Sequence, residues 1–233
     1  MDDGLDIPRV ASLLADPARA AMLWALIDGT SRPAGELAFA ANASPQSASA
    51  HLAKLVEGGL LVAQAQGRHR YFRIASPEAA HLVESMASFG ASLRPRIPRH
   101  PALVRSMPGH FVQARTCYDH LAGEVAVAVL QALLDAGWLT AVGPGYEPTP
   151  LGAKRLAALG IDASHAACCG RRAFARGCVD LTQRRQHLAG VLGAALLDLY
   201  VREGWILRTA GTRVVHMTPK GRSSFKRVLG VSV

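Results

Sequence analysis

The 233 residues are half hydrophobic and 18% charged, with a formal net charge of +9, a composition that builds packed cores and excludes a disordered chain. The opening MDDGLDIPRV lacks the basic-then-apolar layout of a signal peptide, and the richest apolar stretch, 121–142, is broken by Glu124, Gln131 and Asp135. Neither export nor a membrane span is therefore expected, and the four cysteines read as reduced thiols in a cytoplasmic protein. Charge is unevenly spread: residues 1–90 carry 7 Lys+Arg against 9 Asp+Glu, whereas residues 91–233 carry 19 against 8. A basic excess favours a polyanion partner, although the acidic half holds the better DNA-reading pattern.

In chain order, PRVASLLADPARAAMLWALIDGT (8–30) predicts two helices broken near Ala15–Asp16–Pro17. Asp16 can cap and Pro17 suits the first helical position; Ala21, Leu23, Trp24 and Ile27 form an apolar stripe. A short helix follows in PAGELAFAA (33–41). After a turn at Asn42–Ala43, SPQSASAHLAKLVEGG (44–59) predicts a helix opened by Ser44–Pro45 and closed by glycines. LLVAQAQGRHRYFRI (60–74) reads as a hairpin around Gly67, and Ser76–Pro77 starts another helix.

Within 44–59, Ala48, Leu52 and Leu55 recur at i, i+4, i+7 as a buried stripe. The exposed side offers Ser44, Gln46, Ser47, Ser49, Ala50, His51 and Lys54, with no acid before Glu57. Such a face can enter a major groove, where Gln addresses adenine, Ser either base edge, and Lys54 phosphate. The hairpin tip GRHR sets Arg68, His69 and Arg70 along the backbone or minor groove. Helix, turn, polar helix and basic-tipped hairpin together predict a winged helix-turn-helix that binds double-stranded DNA.

The segments LLADPARAAMLWALIDG, ELAFAANASPQSASAHLAKLVEGGLL and GRHRYFRI resemble the ArsR/SmtB family of winged-helix bacterial repressors, over about residues 7–90. The resemblance implies a homodimer joined through the first helix and the helix after the wing. It also implies a near-palindromic operator and repression relieved by an inducer. The chain departs from the family at its sensing positions. Residues 1–90 contain no cysteine, and the helix after the wing offers His81 and Glu84 with no second acid–histidine pair beside them, so the family's metal inducers do not carry over there.

Residues 91–110 hold four prolines and four arginines and read as a linker. Beyond it the chain repeats itself. Aligned on HLAG (120–123 and 187–190), two segments stay in register through Gly137–Trp138 and Gly204–Trp205, then continue as strand, turn, strand, Thr–Pro and helix; upstream, ARTCYD (114–119) matches ARGCVD (175–180). The repeat helices are apolar over most of their circumference, with Val125, Val129, Leu130, Leu133 and Leu134 in one and Leu192, Leu196, Leu197, Leu199 and Tyr200 in the other. Such helices belong in a core rather than a groove, and the seam between repeats is a natural place for a ligand pocket.

All four cysteines fall in this half. Cys117 and Cys178 are repeat-equivalent, each two residues before an aspartate (Asp119, Asp180) placed to cap the next helix. With His120 and His187 they are the ligand-lining candidates, although an extra LTQRRQ before His187 disturbs the symmetry. The run HAACCGRRAFARGC (165–178) offers His165, Cys168, Cys169 and Cys178 as a soft-metal or thiol set.

The fold expected is mainly α with short β-hairpin wings. Residues 1–93 form the winged helix-turn-helix and dimerisation domain, 94–110 the linker, and 111–233 a sensor domain of two pseudo-repeated winged-helix-like units over about 114–161 and 175–231. The function expected is a homodimeric, sequence-specific repressor released by a small-molecule or thiol-reactive inducer. The alternatives are a thiol- or metal-responsive repressor using the C-terminal cysteines, and an architectural DNA-binding protein. No phosphate loop, nucleophile elbow, dinucleotide glycine motif or HExxH is present, so no enzyme is expected, and no cofactor apart from a soft metal ion at the cysteines.

Overall fold

The computed structural model describes residues 6–66, 69–93, 108–163 and 172–233. Arg68, the run 94–107, and His165, Cys168 and Cys169 lie outside the described residues, and so do the expectations placed on them. The chain divides into two compact units, Met1–Met86 and Ala87–Val233.

In the first unit, α1 (Ile7–Leu14) and α2 (Pro17–Ala25) are separated at Asp16, whose side chain accepts from the Arg19 N–H at 2.9 Å with Pro17 at the first helical position. That is the cap the sequence predicts, and the apolar stripe holds at Leu23 and Ile27 but not at its other two positions. Met22, Leu23, Leu26 and Ile27 are buried, whereas Ala21 and Trp24 are half-buried. Next come β1 (Arg32–Pro33), α3 (Ala34–Ala40) and α4 (Pro45–Glu57), joined through a turn in which Asn42 takes φ +48°, a left-handed position asparagine tolerates. The wing is β2 (Leu61–Gln66) paired antiparallel with β3 (His69–Ile74), and β1 adds a third strand through Arg32↔Phe72. A two-residue strand is too short to leave a period in the sequence. The helix α5 (Pro77–Ser92) follows the wing.

The second unit runs α6 (Gly109–Gln113), β4 (Arg115–Cys117), β5 (His120–Ala122), α7 (Glu124–Asp135), β6 (Leu139–Val142), β7 (Gly145–Pro148) and α8 (Pro150–Ala158). Then come β8 (Arg176–Val179), β9 (Gln186–Ala189), α9 (Gly190–Arg202), β10 (Ile206–Arg208), β11 (Val215–Met217) and α10 (Pro219–Ser224), which ends in a π turn over Phe225–Leu229. Hairpin, helix, hairpin, helix thus occurs twice. The two passages interlock: β7 joins β8, with Tyr146 N–H donating to Ala175 O at 3.1 Å, and Val215 N–H donates to Ala114 O at the same distance. Each long helix packs on the other passage's strand, α7 on β9 and α9 on β5. Val125, Val129, Leu130 and Leu133 of α7 and Leu192, Leu196, Leu197 and Tyr200 of α9 join one apolar core.

Each passage closes on a tryptophan carbonyl. Thr149 N–H donates to Trp138 O and Thr218 N–H to Trp205 O, both at 3.0 Å, while the two threonine hydroxyls cap Gly152 and Gly221. A Cβ at Gly152 would lie 1.8 Å from Trp138 O, and one at Gly221 1.9 Å from Trp205 O. Gly152→Ala is therefore expected to cost at least about 1–3 kcal/mol of stability through overpacking. By contrast Gly35→Ala on α3, where a Cβ meets nothing, should be neutral or stabilising by up to about 1 kcal/mol. Urea melts of the two variants would check both.

Candidate nucleic-acid interface and a buried Cys–His cluster

The helix-turn-helix is held from beneath. Leu37 and Ala38 of α3 and Ala48, Leu52 and Leu55 of α4 are buried against Met22, Leu23 and Leu26 of α2. Ser44 caps α4, accepting from the Ser47 N–H at 3.2 Å, with Pro45 at the first helical position. Burying one stripe turns the other outward: Ser44, Gln46, Ser47, Ser49, Ala50 and Lys54 are all exposed. Ser49 Oγ is engaged with Pro45 O at 2.9 Å, so its hydroxyl proton is committed within the helix. His51 differs from the rest, being half-buried with Nδ1 3.6 Å from Asp16 Oδ1; it ties α4 to the start of α2. Arg70 on β3 is exposed, its guanidinium 5.4 Å from the Phe72 ring centre, and His69 is the first residue of that strand.

In the second unit the four ligand-lining candidates meet. Cys117 pairs across β4–β5 with His120, and Cys178 across β8–β9 with His187. The extra residues before His187 are absorbed by a longer loop, so both hairpins present a cross-strand Cys–His pair. Strand β5 lies against β9, and one ligand atom from each of the four residues falls within 4.8 Å of all the others. The two imidazoles stack with centroids 5.0 Å apart and Nε2 to Nε2 at 3.1 Å. The remaining candidates His165, Cys168 and Cys169 lie outside the described residues, so Cys178 alone represents that set.

The two aspartates do not cap helices as their spacing suggested; a strand intervenes, and the residues before α7 and α9 are Gly123 and Ala189. They serve the hairpins instead. Asp180 is fully buried and accepts from Arg115 Nη2 through both oxygens, at 3.1 and 3.0 Å. It also accepts from the backbone N–H groups of Gly123 (2.7 Å), Thr182 (2.8 Å) and Gln183 (2.9 Å). Burial would raise its carboxyl pKa, but the Arg115 charge, those N–H groups and His187 outweigh it and hold the group far below the usual carboxylate range. Its Oδ2 lies 3.8 Å from His187 Nδ1. Asp119, half-buried, stands 3.3 Å from His120 Nδ1 and pairs with Arg172. Burial again opposes ionisation, and the hydrogen bonds from Arg172 and His120 prevail and lower its pKa. Arg115, Asp119, Arg172 and Asp180 are thus supporting residues that the sequence reading did not identify as such. Their signal was weak: a buried arginine differs from an exposed one only in its tertiary surroundings.

The glycine of HLAG also has a sharper role than helix packing. Gly123 and Gly190 take φ +94° and +88°, and a Cβ at either would come within 2.8 Å of backbone carbonyl oxygens of the preceding segment. At the seam between α7 and α9 the cavity lined by Leu121, Val129, Leu196 and Tyr200 is only about 10 Å³. That is room for at most about one water, not the ligand pocket expected there.

A polar, acid-free helix face presented by a helix-turn-helix beside a three-stranded wing defines a winged helix-turn-helix DNA-binding unit. A helix-turn-helix domain family matches residues 14–63. The uncharacterised HTH-type transcriptional regulator YdfF of Bacillus subtilis (strain 168) is 40% identical over 228 residues, covering 98% of this chain and 99% of that protein. The chain belongs to the HTH-type transcriptional regulators. Among solved structures, the homodimeric winged helix-turn-helix domain (fragment 1–100) of Mb0332 from Mycobacterium bovis, described as a possible ArsR-family transcriptional regulator, is 28% identical. It covers 41% of this chain and 87% of that one, with a TM-score of 0.37. The cadmium metal-sensor CMTR from Mycobacterium tuberculosis is 29% identical over 40% of this chain and 95% of its own, with a TM-score of 0.32. Among the described residues no helix is long and apolar enough to cross a membrane.

The buried ion pair gives a direct test of what holds the hairpins. Asp180→Ala would strand the Arg115 charge, which is 1% exposed, and should cost about 3–5 kcal/mol. Arg172→Ala removes an exposed partner of Asp119 and should cost at most about 1 kcal/mol. Equal losses in chemical denaturation would refute the assignment of Asp180 as the main tie.

Proposed function

We propose that this chain is a homodimeric, sequence-specific DNA-binding repressor. Residues 1–93 read a near-palindromic operator, residues 94–110 form a linker, and residues 111–233, two winged-helix-like repeats over about 114–161 and 175–231, form the effector domain that releases it. The observation that carries the reading is the face of α4, where Gln46, Ser47, Ala50 and Lys54 are exposed together on a helix whose opposite side is buried. Neutral hydrogen-bonding groups beside one cation suit base edges flanked by phosphate. Homodimerisation is supported by apolar side chains left exposed on the first and fifth helices: Ile7 at 64%, Met86 at 48% and Phe89 at 66%. The effector assignment is supported by the buried Cys117, His120, Cys178 and His187, which favour a thiol- or metal-responsive form over a bulky organic inducer.

Selection of genomic fragments by the purified protein at physiological salt tests the reading. A few near-palindromic sites should be enriched; recovery without a motif would replace it with an architectural role. On a selected site, Gln46→Ala should cost about 1–3 kcal/mol and relax preference at one position per half-site. Lys54→Ala should weaken all sequences alike and reduce the salt slope by about one. Fluorescence anisotropy over a salt series, with cognate and scrambled duplexes, distinguishes the two.

A further inference from the structure

We infer that the second unit binds one divalent transition-metal ion of the zinc class, tetrahedrally, through Cys117 Sγ, Cys178 Sγ, His120 Nε2 and His187 Nε2. This rests on the second unit alone and holds whether or not the chain is a repressor. Each hairpin contributes one thiol and one imidazole from cross-strand partners, and the four ligand atoms lie within 4.8 Å of one another. Tetrahedral coordination at ordinary zinc bond lengths requires about 3.3 Å between the nitrogens and about 3.8 Å between the sulfurs. The nitrogens stand 3.1 Å apart; little needs to move.

The surroundings of the histidines point the same way. Each ring turns Nε2 toward the shared centre and Nδ1 toward a carboxylate, His120 to Asp119 Oδ1 at 3.3 Å and His187 to Asp180 Oδ2 at 3.8 Å. A carboxylate behind Nδ1 holds that proton and leaves the Nε2 lone pair for a cation. The 3.1 Å contact between the two Nε2 atoms is a hydrogen bond when one ring carries its proton there, and a cation taking both lone pairs would replace that single proton. His187 Nδ1 is buried with no hydrogen-bond partner among the described residues, and the Asp180 carboxylate lies 3.8 Å away. The turn that brings His120 opposite Cys117 also holds Tyr118 at φ +57°, a costly conformation for a bulky residue that persists where the surroundings impose it.

Charge selects the ion. Binding a dication releases the two thiol protons, and two thiolates with two neutral imidazoles then cancel its charge. The outer carboxylates are already balanced, Asp180 by Arg115 and Asp119 by Arg172. A monovalent ion would balance only one thiolate and leave the second cysteine protonated, a poor ligand. Magnesium and calcium need oxygen ligands that the four residues do not offer. All four are at most 9% exposed, so the site is closed, without the open position of a catalytic ion. The ion would stitch the two hairpins together at the point where the two passages of the chain meet.

The test uses the full chain, stripped with a chelator under reducing conditions and titrated with Co2+ and then Zn2+. One ion per chain is expected, with the visible ligand-field bands of tetrahedral Co2+ and a thiolate charge-transfer band, both erased by Zn2+. Zn2+ should also protect two thiols from a thiol reagent and raise the melting temperature. Cys178→Ser and His120→Gln should abolish the charge-transfer spectrum or its tetrahedral form. The double variant Cys168→Ser/Cys169→Ser should bind like wild type. Because ligand variants can unfold, Asp119→Asn serves as a milder probe. It should keep one ion per chain but bind Zn2+ about 10–100-fold more weakly. Absence of stoichiometric metal in the wild-type chain, an octahedral cobalt spectrum, or loss of binding in the Cys168/Cys169 variant but not in Cys178→Ser would each overturn the assignment.

Discussion

The second unit depends on a buried charge that has been made safe. Asp180 carries no solvent exposure and Arg115 almost none, a combination whose desolvation penalty ordinarily exceeds its Coulomb gain. Here the carboxylate takes both contacts from Arg115 Nη2, three backbone N–H groups and the Thr182 hydroxyl at 2.8 Å. Arg115 for its part donates through Nη1 to Phe111 O and Thr182 Oγ1, over the Phe111 ring. The pair joins β4 to the loop of the second hairpin, and Gly123 N–H brings the start of α7 to the same carboxylate. With that centre fixed, the two hairpins stand in register and their cysteines and histidines converge. Asp119, the counterpart of Asp180, pairs with Arg172 rather than with Arg176, the counterpart of Arg115, and that pair is only partly buried; the unit is symmetric in its strands and asymmetric in what secures them.

Much of the first unit was legible because its signals are local. Asp16–Pro17 and Ser44–Pro45 mark helix starts by their own chemistry, and Ala48, Leu52 and Leu55 mark a buried face by spacing alone. Leu23 and Ile27 are buried as their spacing predicts, but Ala21 and Trp24, which pass as core by type, are only half-buried, and Met22 and Leu26 are buried beside them. Burial depends on how α2 packs against α3 and α4, which spacing does not reveal. His51 reads as a groove contact on a helical wheel, yet Asp16 lies thirty-five positions earlier in the chain and draws it inward.

The Cys–His cluster shows a different limit. Its four members were all visible as repeat equivalents, and counting residues argued against their meeting, since His187 follows Cys178 by nine positions and His120 follows Cys117 by three. Position in a hairpin is measured across strands, not along the chain. Six extra residues in a loop change no register, and Cys178 opposes His187 as Cys117 opposes His120. The aspartates were misread for a related reason. An Asp shortly before a helical pattern suggests a cap, but here each belongs to a hairpin loop and turns its carboxylate onto histidine. No local rule separates the two uses.

The two halves also show why bulk charge was a poor guide. The basic excess lies in residues 91–233, while the helix with the exposed polar face, α4, lies in the slightly acidic first ninety. Net charge sums over surfaces that do different work. Arg115 neutralises a buried carboxylate and is not available to a phosphate, while Arg172 pairs with the half-buried Asp119. On α4 the single cation Lys54 stands in the open beside neutral donors and acceptors. What distinguishes α4 from α7 and α9 is how much of each helix is apolar. Three buried positions leave α4 an exposed polar face, whereas α7 and α9 are apolar nearly all round and hold their unit together.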